Sequence, residues 1–527
     1  MRTLRELIER NAHYFPEREA GVFDARRCTH AQYATRALRL ASGLYRLGLR
    51  TQERFAVLAM NCLEYYEAYA AAEVSGFIIV PVNYRLTAPE IAAVLRDAGA
   101  RVLLFEQQYT ETVSRLRAEL PQIEHWVCIR PGSSSAGGDL NDHRGRAEPP
   151  LVFEDLIASG EERGPPISPR PEDYAYLWYT SGTTGKPKGV PWRQEKLLQS
   201  ARINSHVSEM NGATRVLQVT PAFHIGGKGY VLGASWAGAC SVFQRSFDAP
   251  AMLEIIQREH ITHTFMVAAM VQSLLAVPNI RSFDLSSLQQ VFSAAAPIPV
   301  PVLRQAIELF GSVFSIQYGC TEVGSITGLP RHLVNPNGSA DDLRRLGSVG
   351  HVVPDVDMRL IDEDGQPCAP GKPGEVVVRS PCMLDGYWNN TPASLEALRG
   401  GWYHTGDIGV QDDQGYLFLV DRKKDMIISG GENIYSREVE EAIQSHEHVL
   451  DCAVIGVPDS KWVEAVKAVV TLKAGRQLGE LDLIAHCKAR IASYKCPRSI
   501  DFVNELPRLA TGKLDKPALR KRYRQQD

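Results

Sequence analysis

The chain has 527 residues, of which 44% are apolar and 23% are charged, and its formal net charge is −3. This length exceeds what one hydrophobic core usually supports, and the balance of residue types excludes a disordered or fibrous chain. The lack of a basic excess argues against nucleic acid as a partner.

The first 130 residues alternate a helical pattern with short apolar runs. Residues 34–49 have apolar side chains at helical spacing, and four apolar runs predict strands, at residues 55–60, 77–82, 101–105 and 126–129. The run at residues 77–82 is too short to span a bilayer, so we expect no integral membrane segment. Helices between strands indicate an α/β architecture with a mostly parallel, buried sheet.

The segments around this pattern carry no targeting signal. The first 19 residues contain four glutamates and no apolar stretch typical of a signal peptide. Residues 131–150 are small, polar and glycine-rich, which predicts an exposed loop.

The ten cysteines form no C-x-x-C pair and have no zinc-like spacing, so we expect free thiols in the cytoplasm.

The last hundred residues have a different pattern. Short strands are predicted at residues 415–420 and 426–428, and a helix begins at Ser436. Two further strands, at residues 453–457 and 465–472, precede a helix with apolar residues at spacings of three and four. This pattern predicts a small α+β domain. We place the domains at residues 1–423 and 424–527.

The strongest chemical signal is the segment Y-T-S-G-T-T-G-K-P-K-G-V at residues 179–190. Its glycines let backbone N–H groups approach an anion, its hydroxyls donate hydrogen bonds, and its lysines supply charge. It does not match the Walker A pattern. We therefore predict a polyphosphate-binding loop, with these residues as ligands: Thr180, Ser181, Gly182, Thr183, Thr184, Gly185, Lys186 and Lys188.

This loop resembles the phosphate-binding signature of the adenylate-forming superfamily, which includes acyl- and aryl-CoA synthetases, firefly luciferase and the adenylation domains of peptide synthetases. Further motifs follow in the family's order over essentially the whole chain: P-A-F-H (221–224), S-A-A-A-P (293–297), Y-G-C-T-E (318–322), W-Y-H-T-G-D (402–407), D-R-K-K (421–424), S-G-G-E-N-I (429–434) and P-R-L-A-T-G-K (507–513). The resemblance implies a large N-terminal domain of parallel-rich sheets layered with helices, and a small mobile C-terminal α+β domain.

The resemblance also implies a nucleotide site. It assigns to adenine the residues Ala295, Ala296, Pro297, Tyr318 and Gly319. Thr321 is expected to bind a phosphate and Glu322 to bind Mg²⁺, a cation that needs only one or two protein carboxylates when phosphates complete its shell. Asp407 and Arg422 are expected at the ribose. In the S-A-A-A-P turn at residues 293–297, Ala294 replaces the family's usual glycine, which leaves the geometry of this turn open.

The C-terminal motifs imply a second function for the small domain. By resemblance, Lys513 bridges the substrate carboxylate and the α-phosphate, and Lys424 is the hinge on which the small domain turns. Gly430 and Gly431 leave room for the pantetheine arm of CoA. Trp462 is expected to line the tunnel through which this arm passes, although Val463 departs from the family's W-G-E pattern.

The acyl pocket is expected to involve nine residues: His224, Ile225, Gly226, Gly227, Val267, Met270, Gln317, Gly324 and Ser325. An isolated histidine such as His224 is more often a packed structural residue, but its motif favours the site. The small residues in the set leave room for a sizeable chain or ring. Gln317 either binds a polar substituent or satisfies the sheet backbone. Lys228 either recognises a second carboxylate or is a solvated charge.

Together these features predict an AMP-forming acyl-CoA synthetase with ATP, Mg²⁺ and coenzyme A as cofactors and a small-molecule carboxylic acid as substrate. The expected catalytic residues are Thr180, Lys188, His224, Glu322 and Lys513. A medium- or long-chain fatty acid is the first expectation for the acid, and an aryl or alicyclic acid is the alternative. A stand-alone adenylation enzyme that charges a carrier protein also remains open, as does a homodimer.

Overall fold

The computed structural model describes residues 1–130, 150–180, 187–294, 298–423, 425–429, 432–459, 463–509 and 513–524. The chain divides into two compact units: Met1–Asp357 with Val378–Tyr403, and Met358–Val377 with His404–Asp527. The domain boundary predicted between residues 423 and 424 is the point at which the small domain turns. A division into compact units does not test where the chain turns, so this boundary stays a prediction.

The first half of the larger unit is built around a seven-stranded sheet with the order β7-β6-β5-β3-β4-β8-β9. Its elements are α1 (Leu4–Tyr14), β1 (Glu19–Phe23), β2 (Arg26–Thr29), α2 (His30–Arg46), β3 (Arg54–Leu58), α3 (Leu63–Ser75), β4 (Ile78–Pro81), α4 (Ala88–Ala98), β5 (Ala100–Glu106), α5 (Thr110–Arg117), β6 (His125–Ile129), β7 (Leu151–Val152), α6 (Phe153–Ser159), β8 (Tyr174–Thr180), β9 (Lys188–Arg193) and α7 (Gln194–Val207). All pairs in this sheet are parallel except β8 with β9. The four strands predicted in this region are confirmed as β3 to β6.

The predicted helix at residues 34–49 is confirmed as α2, but it begins four residues earlier. The backbone N–H of Gln32 donates to Thr29 Oγ1 at 3.3 Å, and the Thr29 N–H donates to Gln32 Oε1 at 2.9 Å. This reciprocal cap satisfies two N–H groups at the helix start. The helix therefore begins at His30, before the apolar pattern becomes regular.

The second half of the larger unit adds a nine-stranded sheet with the order β16-β15-β14-β13-β12-β10-β11-β1-β2. Its further elements are β10 (Arg215–Gln218), α8 (Ile225–Ala237), β11 (Cys240–Phe243), α9 (Ala249–Arg258), β12 (His263–Met266), α10 (Ala268–Leu275), β13 (Gln290–Ser293), α11 (Val300–Phe310), β14 (Phe314–Cys320), β15 (Gly324–Leu329), α12 (Ala340–Arg345) and β16 (His351–Val352). Strands β10 to β14 are parallel, and β15 and β16 continue the sheet antiparallel. Both large sheets are parallel-rich, as the resemblance implies.

The C-terminal part contains two smaller sheets, of order β17-β18-β19-β20 and β22-β21-β24-β23, with β25 parallel to β24. Its elements, with one helix of the larger unit, are β17 (Asp357–Ile361), β18 (Pro373–Arg379), α13 (Thr391–Ala397), β19 (Tyr403–Gln411), β20 (Leu417–Arg422), β21 (Ile427–Ser429), β22 (Glu432–Ile434), α14 (Ser436–Gln444), β23 (Val449–Asp459), β24 (Val463–Leu472), α15 (Glu480–Lys488), β25 (Ser499–Phe502) and α16 (Lys516–Arg524). Short 3₁₀ turns occur at Gln107–Tyr109, Ile280–Ser282, Arg331–Leu333, Arg399–Gly401 and Ser493–Lys495. The predicted small α+β domain is confirmed.

Two further expectations concern the chain as a whole. Within the described ranges, no helix combines the length and the apolar character needed to cross a bilayer. None of the ten cysteines forms a disulfide with another described residue. The predicted loop at residues 131–150 lies, except for Pro150, outside the described residues.

The register of the parallel strands aligns residues in rows across the nine-stranded sheet. Phe265 of β12 is level with Phe292 of β13, which is level with Ser315 of β14. Side chains two residues apart on a strand share a face, so Gln317 lies on the same face as Ser315, one row nearer the carboxyl ends. Ligands of open α/β sheets bind at this end of the strands.

Candidate active site

The predicted phosphate-binding loop connects the antiparallel strands β8 and β9. Thr180 and Lys188 are directly paired across the two strands, and Thr180 Oγ1 donates to the Lys188 carbonyl at 3.5 Å. The ladder therefore holds both ends of the loop together. The remaining predicted ligands lie outside the described residues: Ser181, Gly182, Thr183, Thr184, Gly185 and Lys186.

The Y-G-C-T-E motif forms the turn between β14 and β15, at the carboxyl end of the sheet. Gly319 is required there because a Cβ on it would lie 2.2 Å from the Gly324 carbonyl oxygen. Tyr318 is buried and is paired with Thr327. Neighbouring residues on a strand face opposite sides, so Tyr318 and Gln317 face the two sides of this sheet. The predicted adenine residues Ala295, Ala296 and Pro297 lie outside the described residues.

The structure brings the phosphate-loop hairpin and the Y-G-C-T-E turn together through Tyr387, which the sequence motifs do not include. The Lys188 ammonium lies 4.9 Å from the centre of the Tyr387 ring, and the Tyr387 hydroxyl donates to Glu322 Oε1 at 3.0 Å. A second link joins Trp192 Nε1 to the Thr321 carbonyl at 2.9 Å. Burial, and then the negative charge of Glu322, raise the pKa of Tyr387, so its hydroxyl stays a donor.

Glu322 suits the predicted metal. Among the described residues there is no cluster of three or more histidine, cysteine, aspartate or glutamate side chains that could hold a metal ion. A single carboxylate next to the hairpin that is predicted to bind phosphate fits Mg²⁺, which keeps waters and takes substrate phosphates as ligands. Glu322 would hold the ion, and Tyr387 would orient the carboxylate.

His224 is the N-cap of α8 and remains exposed. Its Nδ1 accepts a hydrogen bond from the Gly226 N–H at 3.0 Å. A ring nitrogen that accepts from the backbone carries no proton, so in the neutral ring the proton is on Nε2. The interpretation as a packed structural histidine is therefore wrong. The side chain caps the helix while it remains at the surface of the predicted pocket.

Three buried aromatic side chains lie below the predicted acyl pocket, and we call them the aromatic floor: Tyr230, Phe265 and Phe292. Their ring centres are 5.1 to 6.4 Å apart. A Cβ on Gly226 would lie 3.6 Å from the Phe265 ring, so the start of α8 lies directly over the floor. Val267 and Ala294 pack against the same cluster and are only partly buried.

Other predicted pocket residues surround this cluster, and one has a different role. Ile225 and Met270, in the first turns of α8 and α10, are also partly buried. A Cβ on Gly324 would lie 3.3 Å from the Trp192 ring. Gly227 is buried, and a Cβ there would lie 2.5 Å from the Pro221 carbonyl oxygen. Gly227 therefore makes room for Pro221 and gives no room to a substrate, contrary to the expectation.

Lys228 is neither solvated nor directed at a substrate, so both sequence interpretations of it are wrong. Its ammonium lies 2.9 Å from Glu73 Oε1, with both side chains almost fully buried. The Tyr176 hydroxyl also donates to this carboxylate, and the Tyr69 ring centre lies 5.0 Å from the ammonium. The buried pair joins α8 to α3, one turn after His224.

Gln317 makes a side-chain contact with Ser325 and belongs to a short polar chain. The Ser325 oxygen lies 3.1 Å from a carboxamide atom of Gln317 and 2.9 Å from Asn204 Oδ1. Asn204 Nδ2 donates to the Gly229 carbonyl at 3.1 Å. The chain therefore connects β14 and β15 to helices α7 and α8. The interpretation that Gln317 merely satisfies the sheet backbone is not supported.

The smaller unit pairs the two residues predicted to bind ribose. Asp407 Oδ1 lies 3.0 Å from Arg422 Nε, and the two residues are opposite each other on β19 and β20. Asp407 is buried, and Arg422 is half-exposed. The predicted hinge Lys424 and the CoA-tunnel residues Gly430, Gly431 and Trp462 lie outside the described residues.

Lys513 lies in a turn near the C-terminus, and its side chain is exposed. The Leu509 N–H donates to the Lys513 carbonyl at 2.7 Å, and Arg508 forms an antiparallel bridge with Leu514. These contacts join the described residues on either side of residues 510–512 within the smaller unit.

A separate cavity of about 240 Å³ lies at the opposite edge of the nine-stranded sheet. Its lining includes His263, Gln290 and Val313, which are at the amino ends of β12, β13 and β14. Because the predicted site residues are at the carboxyl ends, this cavity is not part of the candidate site.

The chain is similar in sequence and in fold to known proteins. The sequence model of the AMP-binding enzyme family matches residues 8–388, and the model of the AMP-binding enzyme C-terminal domain matches residues 438–513. The chain is similar to a feruloyl-CoA synthase of Amycolatopsis sp (36% identical over 497 residues, 94% of each chain). It is also similar to the long-chain-fatty-acid–CoA ligase FadD13 of Mycobacterium tuberculosis (32% identical over 501 residues, 94% of this chain and 93% of that one).

Among solved structures, the chain is similar to the anthranilate CoA ligase AuaEII in complex with anthranoyl-AMP. The TM-score is 0.87 at 29% sequence identity, over 99% of this chain and 97% of that chain. All three proteins join an acid to CoA, and their acids include both aromatic and fatty examples.

Proposed function

Because the chain belongs to the AMP-binding enzyme family, in its acyl-CoA synthetase branch, we propose that it activates an aromatic carboxylic acid and transfers the acyl group to coenzyme A. The chain is an AMP-forming acid–thiol ligase that uses ATP, Mg²⁺ and CoA. In the first half-reaction the carboxylate attacks the α-phosphorus of ATP and pyrophosphate leaves. In the second, the CoA thiol attacks the acyl carbon, and AMP and a proton leave.

The aromatic floor carries the proposal for the acid. Phe265 and Phe292 lie two residues before Val267 and Ala294 along the chain, and Tyr230 of α8 packs against both rings, so the predicted pocket is bounded on this side by buried aromatic rings. A planar ring that packs on aromatic edges or faces gains about 0.5–1.5 kcal/mol beyond the area it buries. A long alkyl chain has no such gain and would have to displace buried rings. The floor therefore favours a ring over a chain.

The relatives support the same choice without deciding it. The feruloyl-CoA synthase is 36% identical, and the anthranilate ligase has a TM-score of 0.87. The fatty acid that the sequence first suggested is the second candidate, because FadD13 is 32% identical and the partly buried Ile225, Val267 and Met270 also suit an alkyl group.

In the first half-reaction both reactants are anionic, so the main task of the protein is to neutralise charge and align the reacting atoms. We assign Thr180 and Lys188, with the loop between them, to the phosphates. Bound at Glu322, Mg²⁺ would supply positive charge to the phosphate oxygens. Lys513 would supply charge to the reacting carboxylate and α-phosphate, and His224 would lie at the junction of acid and nucleotide.

In the second half-reaction the thiol needs access to the acyl-adenylate. We assign ribose binding to the paired Asp407 and Arg422, and the pivot of the small domain to Lys424. The segment with Gly430, Gly431 and Trp462 would then present the pantetheine arm. These assignments rest on the matching motifs, and the Asp407–Arg422 pair at 3.0 Å supports the assignment to ribose.

The experiment that tests the acid compares turnover on purified protein with Mg-ATP, CoA and matched sets of acids. Benzoic, phenylacetic and cinnamic-type acids form one set. Alkanoic acids of about 6 to 18 carbons, the range of medium to long chains, form the other. The proposal expects the highest kcat/KM with an aromatic acid. A higher value with alkanoic acids throughout would replace it with the fatty-acid candidate. Pyrophosphate exchange without CoA-dependent turnover would favour a carrier protein as the acceptor.

A further inference from the structure

Gln317 is the strand-β14 end of the polar chain that also contains Ser325 and Asn204. The residue lies on the pocket face of β14, one residue beyond the position that is level with the ends of β12 and β13, and it is 7% exposed. It is the one glutamine that the sequence assigned to the acyl pocket. The orientation of its carboxamide decides whether it presents a donor or an acceptor to the substrate.

The contacts of Asn204 fix the orientation of the whole polar chain. Asn204 Nδ2 donates to the Gly229 carbonyl at 3.1 Å, an oxygen that can only accept. Asn204 Oδ1 must therefore face Ser325, whose oxygen is 2.9 Å away. Two acceptors cannot bond each other, so the single proton of the Ser325 hydroxyl lies on this contact.

With its proton committed to Asn204, the Ser325 oxygen can only accept from Gln317. The carboxamide atom of Gln317 nearest to it, at 3.1 Å, is placed as Oε1. Amide oxygen and nitrogen are distinguished by their hydrogen-bond partners, and the proton count requires nitrogen at this position. Gln317 Nε2 then donates to Ser325, and Oε1 points away from it.

The outward atom of the carboxamide is accessible. In the described part of the chain it has no hydrogen-bond partner, and it is not among the buried polar atoms that lack one. We therefore infer that Gln317 presents a carbonyl oxygen to the acyl pocket and selects an aromatic acid that carries a hydrogen-bond donor, such as a ring hydroxyl, amino or N–H group. This inference rests on the proposed function, since it concerns the same substrate.

The test compares three forms of each aromatic acid: unsubstituted, hydroxylated and methoxylated at each ring position. A methoxy group has the hydroxyl's oxygen but no proton to donate. For the best ring skeleton we expect the natural sequence to have a kcat/KM about tenfold or more higher for the hydroxy acid than for its methoxy counterpart, because a site built to accept from a substrate hydroxyl rejects analogues that lack it.

Gln317→Met keeps the side-chain length and removes the acceptor. The ratio of hydroxy to methoxy kcat/KM should fall to near one, because neither acid then finds a hydrogen-bond acceptor at this position. Ser325→Ala frees the carboxamide to rotate, so the ratio should fall partway. The matched control is Gln290→Met. Gln290 is a buried glutamine at the amino end of the neighbouring strand β13, away from the pocket, so its substitution should leave the ratio unchanged.

Each outcome has a defined meaning. A ratio near or below one in the natural sequence, on every aromatic skeleton that turns over, overturns the inference and leaves the aromatic-acid function intact. Retention of a high ratio in Gln317→Met also overturns it. If only alkanoic acids turn over, both the proposed acid and this inference fail. Should Gln317→Met not fold, the natural sequence and Ser325→Ala still decide the question.

Discussion

The ammonium of Lys228 and the carboxylate of Glu73 are 2.9 Å apart, with side-chain exposures of 1% and 4%. The pair joins α8, whose N-cap is the exposed His224, to α3 of the seven-stranded sheet region. Tyr176 donates to the same carboxylate, so the charge of Glu73 is compensated by two partners. A charged pair so deeply buried is costly to separate.

We predict that Lys228→Met destabilises the larger unit strongly, because it leaves the Glu73 charge buried without its cation. Removal of one partner of a buried pair typically costs about 3–5 kcal/mol. Urea unfolding followed by tryptophan fluorescence measures the change. The double variant Lys228→Met with Glu73→Gln should recover most of the loss. An equal loss in the single and double variants would contradict this explanation.

The matched control for this prediction is Lys196→Met. Lys196 lies 2.7 Å from Asp385, with side-chain exposures of 15% and 40%. A pair that water reaches contributes about 1 kcal/mol or less. The control should therefore lower the free energy of unfolding much less than Lys228→Met does.

Tyr387 is predicted to orient the Mg²⁺ ligand. Tyr387→Phe keeps the ring under the Lys188 ammonium and removes the hydroxyl that donates to Glu322 at 3.0 Å. Loss of a group that orients a metal ligand typically costs about 10–100-fold in metal affinity or activity. We expect the Mg²⁺ concentration for half-maximal adenylation to rise about tenfold in a magnesium titration.

Tyr174→Phe is the matched control, because its hydroxyl accepts from Arg193 at 3.3 Å and contacts no proposed metal ligand. It should leave the magnesium dependence unchanged. If Tyr387→Phe and Tyr174→Phe give the same titration curve as the natural sequence, Tyr387 has no positioning role at Glu322.

Lys513→Ala is predicted to separate the two half-reactions. The lysine supplies charge only while carboxylate and α-phosphate react, so adenylation should slow by about 10²–10³-fold. Thioester formation from preformed acyl-adenylate and CoA should stay close to that of the natural sequence. Lys516→Ala is the matched control for the loss of a lysine charge from the smaller unit. Because Lys516 is bound to Glu440 at 2.7 Å within that unit, its removal should not reproduce the selective loss of adenylation. Equal loss in both steps for Lys513→Ala would remove its proposed role.

Lys424→Pro is predicted to uncouple the steps in another way. Proline fixes φ near −65° and restricts the residue before it, so a hinge at this position would lose the rotation that exchanges the two conformations. Single-turnover assays of each half-reaction should show one step retained and the other slowed at least about tenfold. Unchanged overall turnover would place the pivot elsewhere.

Much of the fold was predictable from sequence because apolar runs and helical spacing are local signals. Strands β3 to β6 and the small α+β domain follow directly from them. Thr180 and Lys188, which were both assigned to the phosphates, are paired in the structure. Asp407 and Arg422, which were both assigned to the ribose, are also in contact. Local patterns and family motifs were sufficient for these features.

The remaining features depend on contacts between distant parts of the chain. Lys228 carries no sign in its own segment that Glu73 will be buried against it. Tyr387 belongs to no motif, yet its hydroxyl reaches Glu322. Gly227 appeared as free space because a sequence does not show that the Pro221 carbonyl approaches it. Packing against a distant partner decided each of these cases.

The proposed activity is tested most directly by measuring AMP release by the purified protein with Mg-ATP and hydroxylated aromatic acids and with alkanoic acids, with and without CoA. We predict AMP release that depends on both the acid and CoA, and that is fastest with an aromatic acid carrying a donor group. Turnover that requires no CoA, or that occurs only with alkanoic acids, would contradict it.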